Sequence, residues 1–251
     1  MRLLVSVTSA VEASAALAGG ADVIDAKDPL AGALGAVSAD VLRDIHAIVA
    51  GARPLTAALG DAAGEGAIEY AAREFAAAGA ALVKIGFAGV RSAGRVATLT
   101  AAAVRGARAG DVSAGVVAVA YADADHPASL APGELIEVAA RAGAKGVLLD
   151  TADKLGPGLR ALVEPRALAA WVSEAHDGGL LVALAGRLTA DDLTFVRDTG
   201  ADIAGVRGAA CDGGRTGRVT ADRVRLLTSV VSGFPPPLTS SCDRLDVARW
   251  L

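Results

Sequence analysis

The feature that most constrains the fold is a short unit in which a helix end, a glycine and an apolar strand follow one another. It recurs as AGGADVID, AAGAALVK, RAGAKGVLLD and DTGADIAGV. Glycine just past a helix favours the left-handed conformation that ends it. The apolar residues that follow are typical of strands buried on both faces of a parallel sheet. The repeated unit therefore predicts alternating helices and parallel strands.

Eight apolar runs carry this pattern: Leu3–Val7, Ala21–Ala26, Leu55–Leu59, Ala81–Ile85, Gly115–Ala120, Gly146–Leu149, Leu180–Ala185 and Asp202–Val206. Alanine-rich segments with spaced charges lie between them and are predicted to be helical. Units of about 30 residues predict an α/β (β/α)8 barrel, the TIM-barrel fold, as a single catalytic domain over residues 1–232. An open, doubly wound sheet is the alternative, but no G-x-G-x-x-G motif follows the first run to support its dinucleotide-binding version.

The last residues, 233–251, break the pattern. Their GFPPPLTSS sequence cannot continue a helix, because three consecutive prolines lack backbone donors and fix φ. We expect a Pro-rich C-terminal tail. It is either a short turn docked on the barrel or on a neighbouring subunit, or a disordered end.

Composition narrows the class of protein. Acidic residues number 28 against 24 lysines and arginines, and aromatic residues are 3% of the chain. A nucleic-acid-binding protein would show a basic excess and stacking rings, so no nucleic-acid partner is expected. No signal peptide and no apolar run of about 18 residues is evident, so we expect a cytoplasmic protein without a membrane partner. Barrel surfaces rich in alanine and leucine favour a homo-oligomer.

Charged residues interrupt the apolar runs where an active site is expected. In a (β/α)8 barrel that site lies at the C-terminal ends of the strands. Asp25 and Lys27 close the second run, Lys84 the fourth, and Asp150 and Lys154 follow the sixth. Only four lysines occur among the 24 basic residues, and three of them lie here. Each of these charges alone would be an ordinary ion-pair residue, but together they favour amine chemistry.

Lysine, unlike arginine, can lose its proton near neutral pH, and its free amine attacks carbonyl groups. Burial and like-charged neighbours both lower a lysine's pKa. We therefore expect the lysines at these strand ends to supply a nucleophile or a base for a small-molecule substrate.

The two last runs offer a phosphate site, which late strands of such barrels frequently supply. The seventh run is followed by Gly186 and Arg187, and the eighth by Arg207 and Gly208. Glycine lets backbone N–H groups approach an anion, and arginine binds phosphate with two parallel hydrogen bonds. The motif alone is weak evidence for a phosphate site, because glycine-rich loops follow every strand of a barrel. Its position at the end of the eighth run strengthens the prediction.

A metal site is the weaker interpretation of the polar loop after the fifth run. Asp123, Asp125 and His126 resemble metal ligands in composition, but no obvious ligand set on another strand completes them. We expect neither a metal nor a cofactor.

Six segments together carry a family resemblance: GGADVIDAKDPLAGALGA, LVKIGFAGV, VAVAYADA, LLDTADKLG, ALAGRL and DIAGVRGAACDGGRTGR. In this order they resemble the (5-formylfuran-3-yl)methyl phosphate synthases from about residue 1 to residue 231. The resemblance implies a (β/α)8 barrel and a carbon–oxygen lyase reaction. Two molecules of glyceraldehyde 3-phosphate condense, releasing phosphate and water, to give the furan precursor of methanofuran.

The resemblance also implies roles for single residues. Lys27 in DAKDP matches the family's Schiff-base lysine, and Lys84 in VKIG matches its proton acceptor. Asp150 and Lys154 in LLDTADK match the supporting acid and amine.

Two other functions stay open. A phosphate-sugar aldolase or isomerase on the same barrel would share Lys27 and the phosphate loop, but it would release no inorganic phosphate. A non-catalytic barrel that binds a phosphate ligand would use the lysines only to neutralise an anion, and it would form no covalent adduct.

Overall fold

Eight parallel strands close into a barrel in the computed structural model, which describes residues 1–62 and 64–233. The strands are β1 (Arg2–Val7), β2 (Val23–Ala26), β3 (Leu55–Asp61), β4 (Leu82–Gly86), β5 (Gly115–Tyr121), β6 (Gly146–Asp150), β7 (Leu181–Leu184) and β8 (Ile203–Val206). Each pairs with the next, and β8 pairs with β1. The predicted barrel is confirmed. The open-sheet alternative is wrong, because every one of these strands has two neighbours.

Helices alternate with the strands. They are α1 (Ala10–Ala18), α2 (Ala39–Val49), α3 (Glu65–Ala77), α4 (Ala93–Gly110), α5 (Pro132–Arg141), α6 (Leu159–Leu162), α7 (Pro165–Asp177), α8 (Asp192–Asp198) and α9 (Ala221–Ser232). A small antiparallel pair, β9 (Cys211–Asp212) and β10 (Arg218–Val219), follows β8. Over residues 1–62 and 64–233, no helix has the length and apolar character of a membrane span. The predicted tail lies outside the described residues from position 234 onward.

The glycine of the repeated unit has the expected role. After α3, Gly79 has φ +102° and its N–H donates to the carbonyl of Ala76 at 3.0 Å. The next N–H, of Ala80, donates to the carbonyl of Phe75 at 3.1 Å. These bonds satisfy carbonyls that the helix end would otherwise leave without partners. The chain then turns directly into β4, as the recurring sequence unit predicts.

Inward-pointing side chains change from apolar to polar along the barrel axis. The lower positions are aliphatic and form one cluster: Leu4, Val23, Leu82, Val117, Leu148 and Ile203. Side chains alternate between the two faces of a strand, so the next inward positions lie two residues further on. These positions include Ser6, Asp25, Lys84 and Asp150, all buried. A polar layer thus lies on an aliphatic floor, at the C-terminal ends of the strands.

One side of the barrel mouth is filled rather than open. The hydroxyl of Tyr121, a fully buried residue at the end of β5, donates to the Asp61 carboxylate at 2.7 Å. Leu34, 1% exposed, packs in the same cluster as Tyr121. A Cβ atom at Gly86 would overlap the Asp61 carboxylate and lie 2.5 Å from the Tyr121 hydroxyl. The absence of a side chain at Gly86 therefore allows Tyr121, Asp61 and Leu34 to pack together here.

Replacing Gly86 by alanine is expected to destabilise the fold by about 1–3 kcal/mol, because the added methyl group must displace the Tyr121–Asp61 hydrogen bond. The midpoint of urea unfolding, followed by circular dichroism, measures this loss. Gly66→Ala in α3 is the matched control, since a Cβ there meets nothing within 4 Å. The control should leave the midpoint unchanged or slightly raised, and equal midpoints for the two variants would contradict the prediction.

Candidate active site

One cavity at the mouth of the barrel brings the predicted residues together. It has a volume of about 540 Å³ and is lined by Asp25, Lys27, Lys84, Asp150 and Lys154. These residues come from the ends of three strands, β2, β4 and β6, or from the positions just after them. The aliphatic floor of the barrel lines the same cavity from below. Ionisable groups are thus held above an apolar surface, where burial has its largest effect on their charge.

Asp25 and Lys84 form a buried ion pair. The Lys84 Nζ atom lies 2.5 Å from Asp25 Oδ1, and the two side chains are 6% and 0% exposed. Ser6 Oγ donates to Asp25 Oδ2 at 2.8 Å, and Thr56 Oγ1 donates to Asp25 Oδ1 at 2.7 Å. The carboxylate on β2 therefore has three side-chain donors, one each from β1, β3 and β4.

Asp150 is the counterion shared by the other two lysines. Lys154 Nζ donates to Asp150 Oδ1 at 2.6 Å, and Lys27 Nζ lies 3.7 Å from Asp150 Oδ2. The backbone N–H of Thr151 also donates to Asp150 Oδ1, at 2.8 Å. The longer distance leaves the Lys27 amine less tightly held than that of Lys154.

Burial is the largest single influence on the pKa values of Lys27 and Asp150. It lowers the pKa of Lys27 to about 8, Lys154 and Lys84 act in the same direction, and Asp150 and Asp25 oppose them. Burial also opposes the ionisation of Asp150, but the charges of Lys154 and Lys27, together with hydrogen bonds from Lys154 and the Thr151 N–H, outweigh it, and the pKa of Asp150 falls to about 2. Near neutral pH, Asp150 is an anion, and a minority of the Lys27 side chains carry a free amine.

Arg187 and Gly186 line the same cavity at the end of β7. Arg187 is exposed and has φ +58°, an uncommon conformation for a residue with a side chain. Such strain costs on the order of 1–3 kcal/mol and is concentrated at ligand sites. Gly186, with φ +104°, makes the turn that places Arg187 at the rim. Gly208, after β8, lines the cavity from the adjacent strand end.

Arg207 also lines the cavity, but its guanidinium is committed to the protein. It donates to Glu12 from Nη1 at 2.8 Å and from Nη2 at 3.2 Å. Three carbonyl groups accept its other N–H groups: Ser6 at 2.9 Å, Arg215 at 2.9 Å and Gly217 at 3.0 Å. A guanidinium has five N–H groups, so each one has an acceptor. The predicted direct phosphate contact does not fit this geometry, and Arg207 instead ties the loop after β8 to β1.

Sequence reasoning did not identify Ser6, Thr56 or Glu12, and it placed Arg215 in an anion-binding loop rather than in a contact between loops. The signal available in the sequence was that Ser6 and Thr56 interrupt apolar runs. That both lie level with Asp25 follows from the strand register. Arg215 donates to the carbonyl groups of Pro29 and Gly32, and so joins the loops after β8 and β2, the two strands that flank β1. Contacts of this kind, between residues nearly 200 positions apart, leave no local pattern.

The polar loop after β5 binds backbone rather than forming a ligand cluster. The Asp123 carboxylate accepts the N–H groups of Ala152 at 2.7 Å and of Asp153 at 2.8 Å. Within the ranges 1–62 and 64–233, no group of three His, Cys, Asp or Glu side chains is arranged to hold a metal ion. Asp123 thus anchors the loop that carries Lys154.

Solved structures share this barrel. KGPDC from Streptococcus mutans superposes with a TM-score of 0.65 at 14% identity, covering 93% of this chain and 98% of that one. A 3-hexulose-6-phosphate synthase superposes with a TM-score of 0.60 at 22% identity, covering 90% and 99%. At these identities the likeness concerns the fold alone.

Sequence comparison is more specific. The family described as 4-HFC-P synthase matches residues 3–228. The (5-formylfuran-3-yl)methyl phosphate synthase of Methanopyrus kandleri is 38% identical over 92% of this chain and 99% of its own length. That of Methanothermobacter thermautotrophicus is 37% identical over 93% and 100%. The resemblance seen in the sequence motifs is confirmed, and the chain belongs to the (5-formylfuran-3-yl)methyl phosphate synthase family of enzymes.

Proposed function

We propose that the chain condenses two molecules of glyceraldehyde 3-phosphate through a lysine Schiff base, with loss of phosphate and water, to the furan precursor of methanofuran. The observation that carries the proposal is Lys27, a buried amine whose pKa is lowered to about 8, at the wall of a cavity of about 540 Å³. Two further lysines in the same cavity supply the positive charge that phosphate substrates need. Membership of the synthase family supports the identity of the product.

In the first steps, the free amine of Lys27 attacks the aldehyde carbon of one triose phosphate and the carbonyl oxygen leaves as water. The resulting iminium acidifies the adjacent C–H. Lys84 passes one ammonium proton to the Asp25 carboxylate beside it and, as a free amine, takes up the proton from carbon. The electron pair left on carbon then expels phosphate by cleavage of the C–O bond.

The remaining steps build the ring. A carbon–carbon bond forms to the second triose phosphate, the ring closes, and water is lost until the furan is aromatic. Hydrolysis of the imine frees Lys27. Arg187, with the backbone at Gly186 and Gly208, holds the phosphate that is retained. Arg207 acts on that phosphate indirectly, by fixing the loop after β8.

Purified protein incubated with glyceraldehyde 3-phosphate tests the proposal. We expect inorganic phosphate and a furan aldehyde chromophore to appear together. Formation of a covalent adduct without phosphate release would favour the aldolase. Well-folded protein that gives neither an adduct nor phosphate would leave only a binding barrel.

The rate of imine formation is expected to follow the free amine of Lys27. For a lysine with a lowered pKa, the free-amine fraction rises as the pH rises through about 8 and is then complete. Aliquots quenched into borohydride at successive pH values should give a rate that increases up to about pH 8 and levels off above about pH 9. A rate that keeps rising toward about pH 10.5, as for an ordinary lysine, would contradict the prediction.

A further inference from the structure

Three neighbouring strands present polar side chains at one level of the barrel. Ser6 on β1 stands opposite Asp25 on β2, and Asp25 stands opposite Thr56 on β3. All three are buried, with exposures of 5%, 0% and 3%. The inward positions two residues earlier on β1 and β2, Leu4 and Val23, are aliphatic. The hydroxyl groups of Ser6 and Thr56 therefore lie in the same layer of the barrel as the Asp25 carboxylate, above the aliphatic layer.

The hydroxyls fix the direction of the Asp25 carboxylate. An ionised carboxylate only accepts hydrogen bonds, so each hydroxyl must donate. Ser6 occupies Oδ2, while Thr56 and Lys84 share Oδ1, all within 2.8 Å. A carboxylate held by two donors on opposite flanks cannot rotate without breaking one of these bonds. Its third partner, the Lys84 ammonium, is thereby directed to one place.

The orientation of the Lys84 side chain also depends on the fixed position of Asp25. Lys84 on β4 pairs with Ala58 on β3, and Asp25 lies one strand further on. The long lysine side chain therefore spans β3, where the small Ala58 leaves it room. Without a fixed acceptor at its end, a flexible four-carbon stem would lose its single orientation.

We propose that Ser6 and Thr56 are positioning residues, which hold Asp25 so that Lys84 is aligned for the proton transfers that follow imine formation. The inference rests on the proposed function. Neither hydroxyl is hydrogen-bonded to Lys27, so imine formation itself should not depend on them. This separation distinguishes positioning of Lys84 from general support of the barrel.

Thr56→Val is the direct test, since valine keeps the shape and removes only the donor. We expect kcat for phosphate release to fall about 10- to 100-fold, because small misplacements of reacting groups have effects of this size. KM and the rate of borohydride trapping at Lys27 should stay close to wild type. Thr56→Ser should restore most of kcat. Thr100→Val is the matched control, because the buried Thr100 hydroxyl bonds only within α4.

Two results would overturn the inference: a Thr56→Val enzyme with wild-type kcat, or parallel loss of trapping and turnover that serine does not restore. If Thr56→Val does not fold, Ser6→Ala takes its place, with Ser6→Thr as the variant that keeps the donor and should restore kcat, and Ser129→Ala is its control at another buried serine. The wild-type measurement distinguishes a failure of the proposed function from a failure of the positioning role. Absence of both adduct and phosphate there would refute the proposed function, and the inference with it.

Discussion

Replacing Lys27 by arginine is expected to abolish turnover, with a loss on the order of 10⁴ to 10⁶ in kcat, as when a covalent nucleophile is removed. Arginine keeps the positive charge beside Asp150 but cannot lose its proton in the protein, so no imine can form. The measurement is the rate of phosphate release from glyceraldehyde 3-phosphate, together with borohydride trapping followed by intact mass.

Lys145→Arg is the control for this substitution. Lys145 is exposed and precedes β6, at the opposite end of that strand from Asp150, so the same chemical change there should leave turnover intact. A Lys27→Arg enzyme that still forms furan at a substantial fraction of the wild-type rate would show that charge alone is sufficient. That outcome would refute the Schiff-base assignment of Lys27.

Replacing Asp150 by asparagine is expected to lower both the pKa of Lys27 and the turnover rate, for separate reasons. Asp150 is the largest of the influences that raise the pKa of Lys27, so its loss should lower that pKa further below about 8. The pH at which trapping reaches half its maximum should therefore fall. Turnover should nevertheless drop by roughly 10²- to 10³-fold, because Lys154 loses the carboxylate that holds it in the cavity.

The same substitution breaks a buried ion pair and leaves charge without compensation, which costs about 3–5 kcal/mol of folding stability. Asp44→Asn, at an exposed position on α2, is the control and should change neither stability nor the pH profile. A trapping profile that moves to higher pH in Asp150→Asn would contradict the assigned electrostatics. Equal turnover in the two variants would contradict the role of Asp150 in holding Lys154.

Much of the fold and part of the site could be predicted from the sequence. The strands are short apolar runs, so a charged residue at the end of such a run is easily recognised in the sequence. Lys27, Lys84 and Asp150 were therefore identifiable, and the structure places them around one cavity. Their pattern is local, because each lies at the end of its own strand. Strand topology then brings the strand ends together.

The remaining contacts could not be predicted in this way. Whether an arginine after a strand faces a ligand or a carboxylate depends on packing between distant segments. Arg207 pairs with Glu12, which lies 195 positions earlier, and this pairing uses donors that the sequence alone had assigned to phosphate. Hydroxyl residues such as Ser6 and Thr56 are common in strands. Their role becomes visible only once the register places them on either side of Asp25.

The most direct test of imine formation at Lys27 is the mass of the protein after incubation with glyceraldehyde 3-phosphate and borohydride, with the modified peptide sequenced and phosphate release followed in parallel. The Schiff-base assignment of Lys27 predicts a single reduced adduct on that residue, formed by protein that also releases phosphate. An adduct confined to another lysine, or phosphate release with no adduct at all, would contradict it.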